Sequence, residues 1–313
     1  MPKTTPWTAE DLPDLSGKTI IVTGGNSGLG YQAALQFARK GARVLLACRS
    51  QSRARAASEA IAAAHPQAAP EVMELDVASL SSIRDFAKAF LDGHGELHVL
   101  CNNAGVMALP ERKTADGFEM QLGTNHLGHF ALTGLLLERL LATPGARVVT
   151  VSSTAHRIGK IRFDDLHWER GYRRWGAYGQ SKLANLLFAY ELQRKLEAKG
   201  ASAISVACHP GWAATELQVT GPRMQGSSLL EAVAHLSNRL FSQSAAMGAL
   251  PTLYAAAAPG VRGGDYIGPD GFGETWGHPK KVQSSARSHD GEAAARLWGA
   301  SEALTGVRYQ PLE

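Results

Sequence analysis

Thr19-Ile20-Ile21-Val22-Thr23-Gly24-Gly25-Asn26-Ser27-Gly28-Leu29-Gly30 decides how the rest of the chain is read. Its first five residues are all β-branched, the composition of a buried strand. The glycines after them allow a tight turn and close backbone approach. An apolar helical pattern then runs from about Gly28 to Lys40. Strand, glycine turn and helix in this order leave unpaired backbone N–H groups at the helix start, where a pyrophosphate can sit. Gly24, Asn26, Ser27, Gly28, Leu29 and Gly30 are therefore candidate phosphate-binding residues.

Working outward, the same beat repeats. Arg43–Cys48, Glu71–Leu75, His98–Cys101, Arg147–Val151 and Ser202–Cys208 read as further strands, and Gly263–Pro269 as a last strand and turn. Helical patterns fill Arg53–Ala64, Ser79–Leu91, Gly123–Leu141 and Ala177–Ala198, and the tail to Glu313 reads as a terminal helix. Apolar strands alternating with helices imply a parallel sheet covered on both faces. Right-handed crossovers make it an α/β doubly wound, Rossmann-type fold. The alternation continues past the middle without a linker, so one domain over residues 1–313 is expected, with a core of about 16–270. Two stretches break the beat: a polar insertion at 154–176 and a loop at 212–230 followed by an apolar helix from about Leu229. Both come after strand ends, where such folds bind ligands.

Composition narrows the class. Hydrophobic residues at 44% supply a core, and 19% charged residues argue against a disordered chain. The formal charge of +4 is scattered rather than gathered in a basic tail, which argues against nucleic acid. Cys48, Cys101 and Cys208 are an odd set without ligand spacing, so free thiols in a reducing compartment are expected, not disulfides or a metal site. Met1–Leu15 does not read as a signal peptide, and Phe130–Leu141 is too short to span a bilayer. A cytoplasmic location is the expectation.

The strand ends name the cofactor. Enzymes that use NAD usually carry an acid after the second strand to bind the ribose hydroxyls. Here Cys48 holds that position and Arg49 comes next. A guanidinium pairs bidentately with a 2′-phosphate, and the missing carboxylate removes a repulsion, so NADP(H) is favoured. Arg53, one turn on, is placed to assist. Asp76 and Val77 end the third strand, where a carboxylate and a backbone N–H can take the adenine edge. Asn102, Asn103, Ala104 and Gly105 end the fourth, where Asn side chains can lock the turn and small residues leave room for a ribose.

With those pieces in order, the chain resembles the short-chain dehydrogenases/reductases. The resemblance rests on Thr23–Gly30, Asp76, Asn102–Gly105, Asn125, Ser152-Ser153, Tyr178 with Lys182, and Pro210-Gly211 with Thr215. Ala47-Cys48-Arg49-Ser50, Asn125-His126-Leu127-Gly128-His129-Phe130, Ser181-Lys182-Leu183-Ala184-Asn185 and His209-Pro210-Gly211 look most like the retinol dehydrogenase-like and protochlorophyllide reductase-like branch. The resemblance implies an enzyme passing hydride between a nicotinamide and a carbonyl or alcohol. Tyr178 and Lys182, four apart on one helix face, suit the proton transfer. A phenol of pKa about 10 is a poor catalyst at neutral pH, and the neighbouring ammonium, together with the positive charge of an oxidised nicotinamide, is expected to lower it. Ser153 is expected to hydrogen-bond the substrate oxygen, with Ser152 its competitor, and Lys182 to bind the nicotinamide ribose. Asn125 resembles the family residue that holds a water linking Lys182 to solvent. Pro210, Gly211, Ala213 and Thr215 resemble the segment that closes over the carboxamide.

Substrate choice falls to Met107–Gly117, 154–176 and Trp212–Leu230, where Trp212, Leu217, Val219 and Met224 suit a partly apolar small molecule. Arg157, Lys160, Arg162, Arg170, Arg173 and Arg174 make the insertion basic, a solvated lid or a grip on an acidic substrate. Helices 123–141 and 177–198 resemble those that build family dimers, and the insertion beside them leaves a homo-oligomer open. Two other readings remain: a catalytically silent NADP(H)-binding sensor or scaffold, and a same-fold enzyme performing C=C reduction, epimerisation or dehydration.

Overall fold

Along the first strand the side chains sort by parity, as a pleated strand requires. Ile20 and Val22 join one hydrophobic cluster and Ile21 joins another. The sheet between the clusters is seen in a computed structural model that describes residues 6–212 and 243–313. The strands are β1 (Thr19–Thr23), β2 (Arg43–Cys48), β3 (Glu71–Glu74), β4 (Val99–Asn102), β5 (Arg147–Val151), β6 (Ile204–Cys208), β7 (Tyr266–Pro269) and β8 (Pro279–Lys281). They lie in the order β3-β2-β1-β4-β5-β6-β7-β8, parallel except for the antiparallel edge strand β8. This is the doubly wound α/β, Rossmann-type architecture that the alternation implies.

One face is covered by α1 (Gly28–Arg39) and α2 (Gln51–Ala64), whose Phe37 and Ile61 are fully buried. The other carries α3 (Leu80–Gly93), a helical run from Met120 to Ala142, and the long helix Arg174–Ala198. That run is not the single helix its periodicity predicts. It divides into α4 (Met120–Leu122), a π-turn (Gly123–Leu127), α5 (Gly128–Leu135) and α6 (Leu137–Ala142). The break sits where the helix presses on the sheet: a Cβ on Gly128 would lie 2.0 Å from the Val77 carbonyl oxygen. Helix α7 (Arg174–Ala198) is buried through Ala177–Tyr190.

Two further helices complete the layers: α8 (Ala245–Ala257) beside α1, and α9 (Gly291–Thr305) on α5 and α7. The tail places Trp298 and Tyr309 against Phe130 and Phe188, and the Tyr309 hydroxyl donates to the Phe130 carbonyl at 2.7 Å. The chain's own C-terminal helix thus covers the α5/α7 face that resembled a dimer face. Ala213, Thr215, Leu217, Val219, Met224 and the helix expected from Leu229 lie outside the described residues. No helix among the described residues is long and apolar enough to cross a membrane.

Candidate active site

A cleft of about 370 Å³ runs across the carboxyl ends of β1–β6, where each strand hands over to a loop. Gly24 opens it in the left-handed backbone region (φ 67°). Gly30 must be bare, because a Cβ there would sit 2.5 Å from the Gly24 carbonyl and 2.6 Å from Asn103 Nδ2. Asn26, Ser27, Gly28 and Leu29 line the same wall. The turn after β4 locks onto it: Asn103 Nδ2 donates to the Thr23 carbonyl at 2.8 Å, and the Asn103 and Ala104 N–H groups both donate to Thr23 Oγ1 at 2.9 Å. The first N–H groups of α1 are left open on this wall, since Ser27 gives them no side-chain cap, and a helix start of this kind fits a pyrophosphate. Gly105 is equally tight, since its Cβ would meet Asn125 Oδ1 at 3.0 Å.

Arg49, Asp76 and Val77 line one end of the cleft, with Ser50 and Arg53 beside them. Burial pushes the Cys48 thiol up to about 11, so the position that an acid would hold stays neutral. Arg49 is largely exposed and reaches within 3.8 Å of Asp76 Oδ2. The other carboxylate oxygen of Asp76 accepts from the Ala78 N–H at 3.0 Å, which orients it.

Tyr178 and Lys182 line the other end. Lys182 Nζ stands 5.8 Å from the Tyr178 ring centroid and donates to the Val151 carbonyl at 3.1 Å. Both are buried, and burial dominates both titrations. Tyr178 is pushed up to about 12, opposed by the Ser153 hydroxyl, and Lys182 is brought down to about 8. In the chain alone burial raises the phenol, and the influence that opposes it is the Ser153 hydroxyl, not Lys182.

The two serines separate cleanly. Ser152 lines the cleft, and its Oγ donates to the Lys182 carbonyl at 2.8 Å and so holds the helix, while Ser153 caps the turn that follows by accepting the Ala155 N–H at 3.2 Å and is the one that acts on Tyr178. Asn125 lies behind the cleft. Its carboxamide takes the Val106 N–H at 2.8 Å and donates to the Val106 carbonyl and Ser181 Oγ, each at 2.9 Å. Trp175 packs edge-on to Tyr178 with ring centroids 6.0 Å apart and stays half exposed.

A sequence model described as short chain dehydrogenase matches residues 18–225. Human retinol dehydrogenase 12 is 43% identical over 95% of this chain and 89% of its own length. Human retinol dehydrogenase 13 is 41% identical over the same shares. The chain belongs to the short-chain dehydrogenase family. Among solved structures, an uncharacterised protein from Mycobacterium paratuberculosis is 44% identical, covers 97% of this chain and 99% of its own, and superposes with a TM-score of 0.79. A short chain dehydrogenase from Shigella flexneri, complexed with NADP, is 21% identical over 82% of this chain and 98% of its own, with a TM-score of 0.62. That last likeness shows the fold alone.

In this short-chain dehydrogenase the segment after β6 is pinned from below. Pro210 lines the cleft, and the N–H of Gly211 beside it donates to His209 Nδ1 at 3.3 Å. His209 Nε2 then donates to Glu274 at 3.0 Å, and Glu274 also accepts from Arg157 at 3.1 Å. Two more of the insertion arginines are engaged: Arg162 pairs with Asp165 at 2.9 Å and Arg170 with Asp164 at 2.6 Å. Buried Glu119 accepts from Tyr172 at 3.2 Å, tying the insertion to α4. Sequence reasoning missed Ser50, Val106, Thr124 and Val151 in the cleft, each adjacent to a motif residue. It also gave no role of their own to Thr23 and His129 beneath the cleft, since neither carries a pattern that would single it out.

Proposed function

We propose that this chain is an NADP(H)-dependent oxidoreductase that interconverts a carbonyl and an alcohol, with Tyr178 as the proton donor and acceptor. The observation that carries the reading is the buried Tyr178–Lys182 pair, with Ser153 beside the phenol, at one end of a cleft whose other end holds Arg49 and no acid at the Cys48 position. When bound, the nicotinamide supplies or accepts the hydride. The glycine turn would hold its pyrophosphate, Arg49 its 2′-phosphate, Asp76 and Val77 its adenine, and Lys182 its ribose. Pro210 and Gly211 would lie along the carboxamide.

Tyr178, held at about 12, keeps its proton at neutral pH and can give it to a carbonyl oxygen as charge develops there. Ser153 would orient that oxygen. In the reverse direction the phenol must lose its proton against burial, so the chain by itself is set for reduction. Arg157, Arg162 and Arg170 are held in ion pairs, which takes half of the six basic side chains of the insertion away from gripping an acidic substrate. Relatives named retinol dehydrogenase make retinaldehyde the first compound to try.

The test is NADPH oxidation followed by absorbance across retinaldehyde, other aldehydes, ketones and steroids, with wild type and Tyr178→Phe. Turnover should fall by about 100-fold or more in the variant while NADPH binding is retained. Unchanged turnover in Tyr178→Phe would overturn the assignment. Deuterated NADPH tests the reaction type, since label on a carbinol carbon supports carbonyl reduction and label on a former C=C carbon opposes it.

A further inference from the structure

His129 lies one turn beyond Asn125, just past the π-turn, with 2% of its surface exposed. Its Nδ1 is 3.1 Å from the Asn125 main-chain oxygen, and a carbonyl can only accept, so Nδ1 carries the hydrogen. Nε2 is then a bare acceptor, 3.0 Å from Thr23 Oγ1 at the end of β1. The Cys101 carbonyl, 3.1 Å from the same hydroxyl, is the other acceptor within reach of its single hydrogen. Thr23 Oγ1 in turn accepts the Asn103 and Ala104 N–H groups. A bare Nε2 3.0 Å from that oxygen would otherwise set lone pair against lone pair, so the Thr23 hydrogen goes to His129 in preference to the Cys101 carbonyl, and the donors run in one direction: Asn103 and Ala104 to Thr23, Thr23 to His129, His129 to Asn125.

Bonds aligned in this way polarise one another. The far end matters because the Asn125 carboxamide grips both Val106 backbone groups and Ser181, the neighbour of Lys182. The near end matters because the Asn103–Ala104 turn is the wall facing Gly24 and Gly30. Burial favours the neutral ring, and the charge of Lys182 acts in the same sense.

We infer that His129 is a positioning residue whose neutral, Nδ1-protonated imidazole links the cofactor-side turn, held through Thr23 by Nε2, with the Asn125 support of the catalytic helix, held by Nδ1, each nitrogen fixing its own end. This rests on the oxidoreductase reading above, and the two are tested separately.

The ring's two bonds can be removed one at a time. In His129→Asn the carboxamide reaches only as far as Nδ1, keeping the donor to Asn125 and losing Thr23. In His129→Gln it reaches to Nε2, keeping an acceptor for Thr23 and losing Asn125. The expected result is an opposite split. His129→Asn weakens the NADPH dissociation constant about tenfold with kcat little changed, and His129→Gln lowers kcat about tenfold with binding little changed. A residue that only fills space would move both quantities together in both variants. That outcome, or no change in either, overturns the link.

A second measurement needs no variant and no activity. In cofactor-free wild type at pH 7, the 15N shifts of His129 should show a protonated Nδ1 and an unprotonated Nε2. An Nε2-protonated ring or an imidazolium overturns the inference even if both variants fail to fold. Full turnover in Tyr178→Phe defeats the oxidoreductase reading. A dead Tyr178→Phe beside matched His129 variants defeats this one alone.

Discussion

Replacing Lys182 by Met should make the cofactor-free protein more stable while nearly abolishing turnover. The ammonium is buried, and its ordinary pKa of 10.5 is brought down to about 8 by desolvation. At 1.36 kcal/mol per unit, holding that charge costs the folded state on the order of 3 kcal/mol at neutral pH. Met fills similar volume without a charge. The Val151 carbonyl, which loses Lys182 as a donor, keeps Asn185 Nδ2 at 3.0 Å. Allowing for the lost bond, the net gain should be about 1–3 kcal/mol, or roughly 2–6 °C in midpoint.

The pH dependence gives the decisive signature. Below about 8 the lysine is charged in both folded and unfolded chains, and the folded state bears the full penalty. Between about 8 and 10.5 the folded protein sheds its proton first, the unfolded chain binds more protons, and wild-type stability rises with pH. Above 10.5 the penalty is gone. The advantage of Lys182→Met should therefore be full at pH 7 and close as pH climbs through that window. Denaturant unfolding of both proteins at pH 7, 9 and 10.5, without cofactor, reads it directly. A variant less stable than wild type at pH 7, or an advantage unchanged at pH 10.5, would refute burial as the dominant influence on this lysine.

Arg49→Ala should weaken NADPH about tenfold to a hundredfold while leaving NADH nearly unaffected; equal losses for both in titration would remove Arg49 from 2′-phosphate recognition. Gly128→Ala forces a Cβ to within 2.0 Å of the Val77 carbonyl, so chemical denaturation should show a loss of about 1–3 kcal/mol from local overpacking. The two serines should part company. Ser152→Ala gives up the buried bond to the Lys182 carbonyl and should lower the thermal midpoint with kcat little changed, whereas Ser153→Ala, which gives up the 3.2 Å cap on the Ala155 N–H, should lower the midpoint less and reduce kcat about tenfold or more. Matched effects in scanning calorimetry and steady-state kinetics would contradict that division.

The residues made legible whatever short-range pattern carries. The β-branched run before Gly24 marked β1, and its glycines announced the turn because backbone approach leaves only glycine room there. Tyr178 and Lys182 were legible because a spacing of four fixes a common helix face. The edge strand β8 was not, since Pro279-Lys280-Lys281 has neither alternation nor apolar weight and pairs only because β7 offers an open edge. Helix α8 was hidden by Pro251 and by a composition with almost no polar face to give a period. The π-turn escaped for a related reason: one extra residue per turn leaves the hydrophobic rhythm of Gly123–Leu141 nearly intact while rotating the helix beyond it.

That rotation has a chemical consequence at the site. Residues through Asn125 and those from Gly128 onward no longer present the faces that a continuous helix would. The two ring nitrogens of His129 are thereby brought to a main-chain oxygen four residues back and to a hydroxyl on another strand. In sequence His129 is one polar residue inside an apolar helix, the usual look of a satisfied core histidine. Its partners at Thr23 and Asn125 are separated by about 100 residues, and no local period connects them. The same holds for Tyr178. Its neighbour Lys182 was legible, but the desolvation that raises the phenol and lowers the ammonium belongs to the folded interior. The catalytic groups could be named from spacing, while the protonation states in which they wait are set by burial.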